Sequence, residues 1–318
     1  MLYDQLRATF QWVEFRALER LVLPIFKGST FRGGLGLAYK RVVCALRLKD
    51  CPTCLLRYRC AYSVCFETPV PQHAEIMRKY PYAPHPFVLE PPLDHSRVFE
   101  EGSLFRVGLW LIGRGIDFLP HFIYAFDEMG RQGIGANRGK IELVRVTSSS
   151  SGEERVIYDH KTRELIHLPE PVTKEVVQRR AESLQGVPLR LIFETPMRLK
   201  VEGRLASEPD LGPLISALFR RLSALHYFHC DGSDSADFRG LVDKASKTNL
   251  RKIDTRWVDW TRYSSRQDVT MQLGGFIGQL ECEPISHELL PVLCWGEYLH
   301  GGKGSAFGLG KFRIEPIS

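Results

Sequence analysis

Apolar and polar positions alternate along the chain with two periods, and the order of those periods predicts the architecture. In the second half, "VPLRLIFETPMRLKVEG" alternates at Leu189, Leu191 and Phe193 and reads as a strand. "DLGPLISALFRRLSALHYF" repeats Leu214, Leu218, Leu222 and Leu225 behind Asp210, a suitable N-cap, and reads as a helix. A short helical insert over 238–246 precedes two strand-like runs, "IDTRWVDWTRYSS" and "QDVTMQLGGFIGQLE". Ser286 then caps a helix through Leu299, a glycine-rich loop follows, and alternation from Phe307 to Glu315 gives a last strand. The order β-α-β-β-α-β predicts a ferredoxin-like domain, an antiparallel four-stranded sheet with two helices on one face.

The first half begins in the same way. "QLRATFQWVEFRALE" reads as a strand and "STFRGGLGLAYKRVVCAL" as a helix, with Phe31, Leu35, Ala38, Tyr39, Val42 and Leu46 on its apolar stripe. Further strands are expected at 104–112, 118–127 and 141–146, with a hairpin in "RVIYDHKTRELIHL" and an exposed loop at "TSSSSGEE". The α+β reading is therefore two tandem ferredoxin-like domains, 1–180 with a cysteine-rich insertion and 181–318 with the glycine-rich loop.

Composition narrows the setting. At 318 residues the chain is long enough for two domains with separate cores, and its 44% hydrophobic and 25% charged residues are those of a soluble globular protein. The first residues, "MLYDQLRATFQWVEF", lack the apolar run of a signal peptide, and no apolar stretch reaches the roughly 18 residues of a membrane span. A cytoplasmic protein with no membrane partner is expected. The net charge of +6 suits a polyanionic partner but is also found in many enzymes.

In a reducing compartment the eight cysteines are not expected to pair as disulfides. Four of them, Cys51, Cys54, Cys60 and Cys65, fall in "DCPTCLLRYRCAYSVCFE", a spacing from which thiolates close around one metal. Structural zinc is the expected ion; an iron–sulfur cluster uses the same ligands, and four reduced cysteines packed in a loop are the plain alternative. Cys44, Cys230, Cys282 and Cys294 lie in apolar segments and read as core.

The C-terminal "HGGKGSAFGLG" resembles a phosphate cradle, yet Lys303 is followed by Gly304 rather than Ser or Thr, and a strand rather than a helix follows the glycines. This departs from a Walker-type nucleotide site. Backbone amides in such a loop still approach a phosphodiester closely, because no Cβ intervenes. Nearby, Arg251, Lys252, Arg256, Arg262 and Arg266 interleave with Trp257, Trp260 and Tyr263, a pattern suited to phosphate pairing and base stacking. The competing reading makes the tryptophans core and the arginines a solvated strand face.

Four stretches, "GSTFRGGLG", "CPTCLLRYRCAYSVCFE", "GIGANRGKIEL" and "YSSRQDVTMQLGGFIG" ahead of "LHGGKGSAFGLGKFRI", together resemble the CRISPR repeat-processing endoribonucleases of the RAMP superfamily. The resemblance runs through most of the chain. It implies two ferredoxin-like domains and a cut of precursor CRISPR RNA within each repeat, needing no cofactor for catalysis. The substrate's 2′-hydroxyl attacks, so the enzyme supplies a base, an acid and cations for the phosphorane. Many members place a histidine on the first helix, but here no histidine precedes His73. The candidates are Tyr39 and Lys40 on that helix, and His300 as general acid or base with Lys303 stabilising charge. His300 capping the last helix turn and Tyr39 packed in the core are the alternatives. For RNA contact the resemblance points to Arg262, Ser264, Arg266, Gly301, Gly302, Gly304, Gly308 and Gly310. Repeat RNA is the expected partner, with other CRISPR effector subunits. A non-cleaving RAMP subunit that binds guide RNA is the second reading, and a loop for a free nucleotide the third.

Overall fold

A computed structural model describes residues 2–46, 50–77, 80–150, 153–233, 237–264 and 269–317. The chain divides into two compact units. One is Leu6–Pro171 with Phe228–Cys230; the other is built from Val172–Tyr227 and the chain after Asp231, together with the N-terminal residues through Gln5. The division at Pro171 falls ahead of the expected 180, so the helix Lys174–Ser183 belongs to the second unit.

In the N-terminal unit, β1 (Ala8–Ala17), α1 (Gly28–Val43), β2 (Phe87–Glu90), β3 (Leu104–Ile112), α2 (Leu119–Gln132) and β4 (Ile141–Ser150) follow in the β-α-β-β-α-β order. The antiparallel sheet runs β2-β3-β1-β4 and is extended by β5 (Glu153–Asp159) and β6 (Glu164–Leu165). Phe15 of β1 stacks on Phe105 at 5.6 Å and meets Phe31 of α1 and Phe126 of α2 at 6.5 and 5.7 Å, which places both helices on one sheet face. The expected strand at 118–127 is helix α2. Its apolar residues Leu119, Phe122, Ile123, Phe126 and Met129 recur at helical spacing and are all buried, and Pro120 occupies the first turn, where its missing N–H costs nothing. The dense aromatic run imitates strand composition, and the period decides against it.

In the C-terminal unit, α3 (Lys174–Ser183) precedes a second β-α-β-β-α-β series: β7 (Leu189–Met197), α4 (Leu211–Cys230), α5 (Phe238–Ser246) as the insert, β8 (Leu250–Val258), β9 (Thr261–Ser264), β10 (Val269–Gln272), β11 (Gly275–Cys282), α6 (Leu290–Leu299) and β12 (Phe312–Pro316). The sheet order is β8-β11-β7-β12. Asp210 caps α4, its carboxylate accepting from Gly212 N at 2.9 Å. Each long strand run foreseen here is divided: β8 pairs with β11, and β9 with β10 as a separate hairpin. The break lies at Gly274, where a Cβ would stand 2.2 Å from Asp259 Oδ1 and 2.6 Å from the Trp257 ring. Helix α6 starts at Leu290, because a turn bonded from Leu289 N to Ser286 O precedes it. Among the described residues no helix is long and apolar enough to cross a membrane.

Candidate functional site

The glycine loop closes on itself and on the end of β7. Gly301 N donates to Gly310 O at 2.9 Å, Gly310 N to Pro196 O at 3.1 Å and Lys303 N to Arg198 O at 3.1 Å. Gly308 N donates to Ser305 O at 2.8 Å. Gly310 has φ +70°, and a Cβ there would lie 1.9 Å from Gly301 O, so this closure admits only glycine. The expected cradle, in which amides throughout the loop face phosphate, is thereby corrected: those of Gly301, Gly308 and Gly310 hold the loop together. Among the described hydrogen bonds, the amides of Gly302 and Gly304 have no acceptor and remain available to an anion.

His300 is fully buried at the end of α6, with φ +63°, and its Nδ1 lies 3.1 Å from Leu309 O. A carbonyl only accepts, so Nδ1 is the donor and the ring ties helix end to loop end. The expected acid–base role at an RNA phosphate does not fit a side chain with no accessible surface. Lys303 is exposed on the same loop. Two further cations stand behind it. Arg198, whose carbonyl receives Lys303, has its pKa drawn down by burial, and Arg221 donates Nε to Leu299 O at 3.1 Å. Burial pulls Arg221 down to about 10, so it stays charged at neutral pH. No local pattern marked these two, since their surroundings arise from packing between distant segments.

The edge strand β8 is exposed along both faces, and Arg256 and Trp257 stand on it, Trp257 at 40% exposure. Arg251 is engaged by Glu283 at 2.6 Å. Arg262 and Ser264 lie on the backbone pairs Arg262–Met271 and Ser264–Val269 of the β9–β10 hairpin; Arg266 lies outside the described residues.

The N-terminal candidates separate. Tyr39 is fully buried between Phe66 and Phe122, at ring distances of 5.1 and 4.9 Å, and its hydroxyl lies 3.9 Å from Cys65 Sγ. Burial pushes its pKa well above the ordinary value, so Tyr39 is a core residue rather than a base. Lys40 is half-buried, with Nζ 5.4 Å from the Tyr62 ring centroid and beside Cys51.

The four insertion cysteines do not converge. Cys51 sits near Lys40, Glu67 and Cys44, whereas Cys60 and Cys65 neighbour Tyr39. Among the described residues no three His, Cys, Asp or Glu side chains form a metal-binding group, so the expected four-sulfur set is not assembled. Burial pushes the Cys65 thiol up to about 12.

Two family models match this chain. Residues 6–170, more than half of it, match the AF_1859 N-terminal domain, and residues 191–312 match the CRISPR-associated endoribonuclease Cas6. The chain belongs to the family of the AF_1859 N-terminal domain, and its C-terminal part is similar to the CRISPR-associated endoribonuclease Cas6. A protein of Archaeoglobus fulgidus, described as uncharacterized, is 25% identical over 298 residues, 92% of each chain. Among solved structures, Thermus thermophilus Cas6 (TTHB231) superposes with a TM-score of 0.54 at 15% identity, covering 98% of this chain and 99% of that one. The Cas6 (TTHB231) product complex gives 0.59 at 16%, covering 97% and 100%. A partial Cas6-RT-Cas1–Cas2 complex gives 0.61 at 13%, covering 98% of this chain; the chain spans only 46% of that polypeptide. At these identities the superpositions speak for the fold, tandem ferredoxin-like domains.

Proposed function

We propose that this protein cuts precursor CRISPR RNA within its repeats by attack of the 2′-hydroxyl on the adjacent phosphate, without metal, leaving 2′,3′-cyclic phosphate and 5′-hydroxyl ends. The observation that carries this reading is the C-terminal unit, where the match to the endoribonuclease Cas6 coincides with a rigidly closed glycine loop bearing an exposed lysine. Lys303, with the open amides of Gly302 and Gly304, takes the scissile phosphate and stabilises the phosphorane; Arg221 adds positive potential from behind. His300 positions this loop. Repeat RNA is the partner, consistent with the product complex of Cas6 (TTHB231), and further CRISPR proteins are partners by analogy with the Cas6-RT-Cas1–Cas2 assembly. Incubating the protein with repeat RNA in EDTA tests the reading: a fragment ending in a 2′,3′-cyclic phosphate is expected, and intact RNA overturns it.

The burial of both Tyr39 and His300 favours one alternative, a RAMP subunit that holds guide RNA without cutting it. That protein would bind repeat RNA tightly and leave it whole in the same assay.

A further inference from the structure

We propose that the cysteine-rich insertion of the N-terminal unit carries a separate subsite for an unpaired nucleotide, with its phosphate at Arg57 and its base against Tyr80 and Tyr82. The proposal rests on the reading of this chain as an RNA-handling protein and adds a contact to it. Two adjoining cavities, of about 410 and 270 Å³, lie here and share Arg57, Pro69, Pro71 and Gln72 in their walls. The larger falls within the range of about 300–1,000 Å³ usual for small-ligand sites.

The cleft is preformed. Segments 68–71 and 81–83 run antiparallel, held by Val70 N to Pro81 O at 3.1 Å and Ala83 N to Thr68 O at 2.8 Å. Three prolines, Pro69, Pro71 and Pro81, fix their own φ and stiffen these walls. Beneath them a single π-helical turn, Ser63–Glu67, ends at Thr68 with φ +47°. A β-branched residue in that region is strained, and both features concentrate where a site is being shaped.

The chemistry of the lining selects the ligand. Arg57 reaches both cavities, and its guanidinium carbon lies 4.7 Å from the Tyr58 ring centroid. Its Nε is buried without a hydrogen-bond partner, and among the described ion pairs no carboxylate engages it. Arg57 is half-buried and lines both cavities, so while Nε sits inside the wall the rest of the planar guanidinium offers its donors to a phosphate in the cleft. Tyr80 and Tyr82 are 63% and 46% exposed at the larger cavity, surfaces on which a base stacks. Gln72 lines the same space, an amide able to read the polar edge of that base, and the neighbouring Glu67 carboxylate is held by Tyr62, whose hydroxyl donates to it at 3.2 Å. A paired base keeps its edge and faces inside the duplex, so the cleft takes an unpaired one.

The test uses the full-length protein and repeat RNA carrying 5-iodouridine in its unpaired flanks. After irradiation, crosslinked peptides containing Tyr80 or Tyr82 are expected. Arg57→Gln should weaken RNA with unpaired flanks by roughly tenfold or more, within the loss of a stacked base and its anchor, while leaving a flankless hairpin unaffected. Crosslinks confined to the C-terminal unit, with cleavage intact, overturn this inference and leave the proposed function standing. Crosslinks at Tyr82 without cleavage uphold the subsite and overturn the nuclease. Saturable binding of AMP or GMP with no RNA crosslink at these tyrosines assigns the cleft to free nucleotides and overturns the RNA assignment. Because the crosslink map needs only the unmutated protein, a misfolded Arg57 variant does not remove the test.

Discussion

Substituting His300 distinguishes a residue that carries the chemistry from one that sets the loop. His300→Ala removes the ring that donates to Leu309 O, and Leu309 is itself fully buried. A buried carbonyl left without a donor costs about 1–3 kcal/mol. Alanine does nothing to ease φ +63°, a conformation costing about 1–2 kcal/mol for most residues, so that strain stays. With about 2–4 °C per kcal/mol for a unit of this size, the C-terminal unit should melt roughly 2–12 °C lower. His300→Asn is the discriminating variant, because asparagine tolerates positive φ and its amide N–H reaches back to a carbonyl. Single-turnover cleavage of repeat RNA, measured well below the melting temperature and across pH 5–9, gives the assay. A positioning residue predicts that His300→Asn cuts within a few-fold of the parent with the same pH profile. An unchanged melting temperature with cleavage down about 10²-fold or more, and a pH limb lost from the profile, would refute the reasoning, since that is the scale of a lost proton-transfer group.

Four further outcomes follow from the same geometry. Tyr39→Phe should cleave at the parental rate, since it removes only a hydroxyl facing Cys65, whereas Tyr39→Ala should cost about 3–5 kcal/mol in melting experiments, as for other large aromatics. Gly310→Ala should open the loop, because its Cβ would collide with Gly301 O, and RNA affinity should fall with it; retained affinity would place the RNA elsewhere. Lys303→Ala should reduce the slope of log affinity against log salt by roughly 0.7, the share of one single-strand phosphate contact. Cys65 is a group whose folded pKa, about 12, exceeds its ordinary 9.0; its contribution to stability is complete below pH 9 and is lost as pH rises towards 12. Cys65→Val should therefore flatten the alkaline fall in melting temperature, and Cys54→Ser should leave the neutral-pH melt unchanged; one zinc per chain by metal analysis would overturn the arrangement of cysteines described above.

The C-terminal β-α-β-β-α-β order, and the first strand and helix of the N-terminal unit, were legible because periodicity is a local property: Leu189, Leu191 and Phe193 alternate, and Leu214, Leu218 and Leu222 recur, whatever surrounds them. The misread strand at 118–127 shows where this fails, since Phe118, Phe122, Tyr124 and Phe126 satisfy strand composition while their buried members follow the helical period. Site chemistry is less legible for a different reason. A histidine beside five glycines has the composition of an acid–base group, but its role depends on accessibility, and that is fixed by Leu309 arriving from the far side of the loop. The same holds in reverse for Arg57, which resembles any surface arginine in "LLRYRC" until the fold sets it in the wall of one cavity with Pro69, Pro71 and Tyr82. Residue type announces which reactions are possible, whereas burial, a property of segments far apart in sequence, selects among them. Exposed Lys303 and the half-buried Arg57 are therefore the two cations proposed here to meet RNA, and each has its own measurement: the salt slope for the first and the crosslink map for the second.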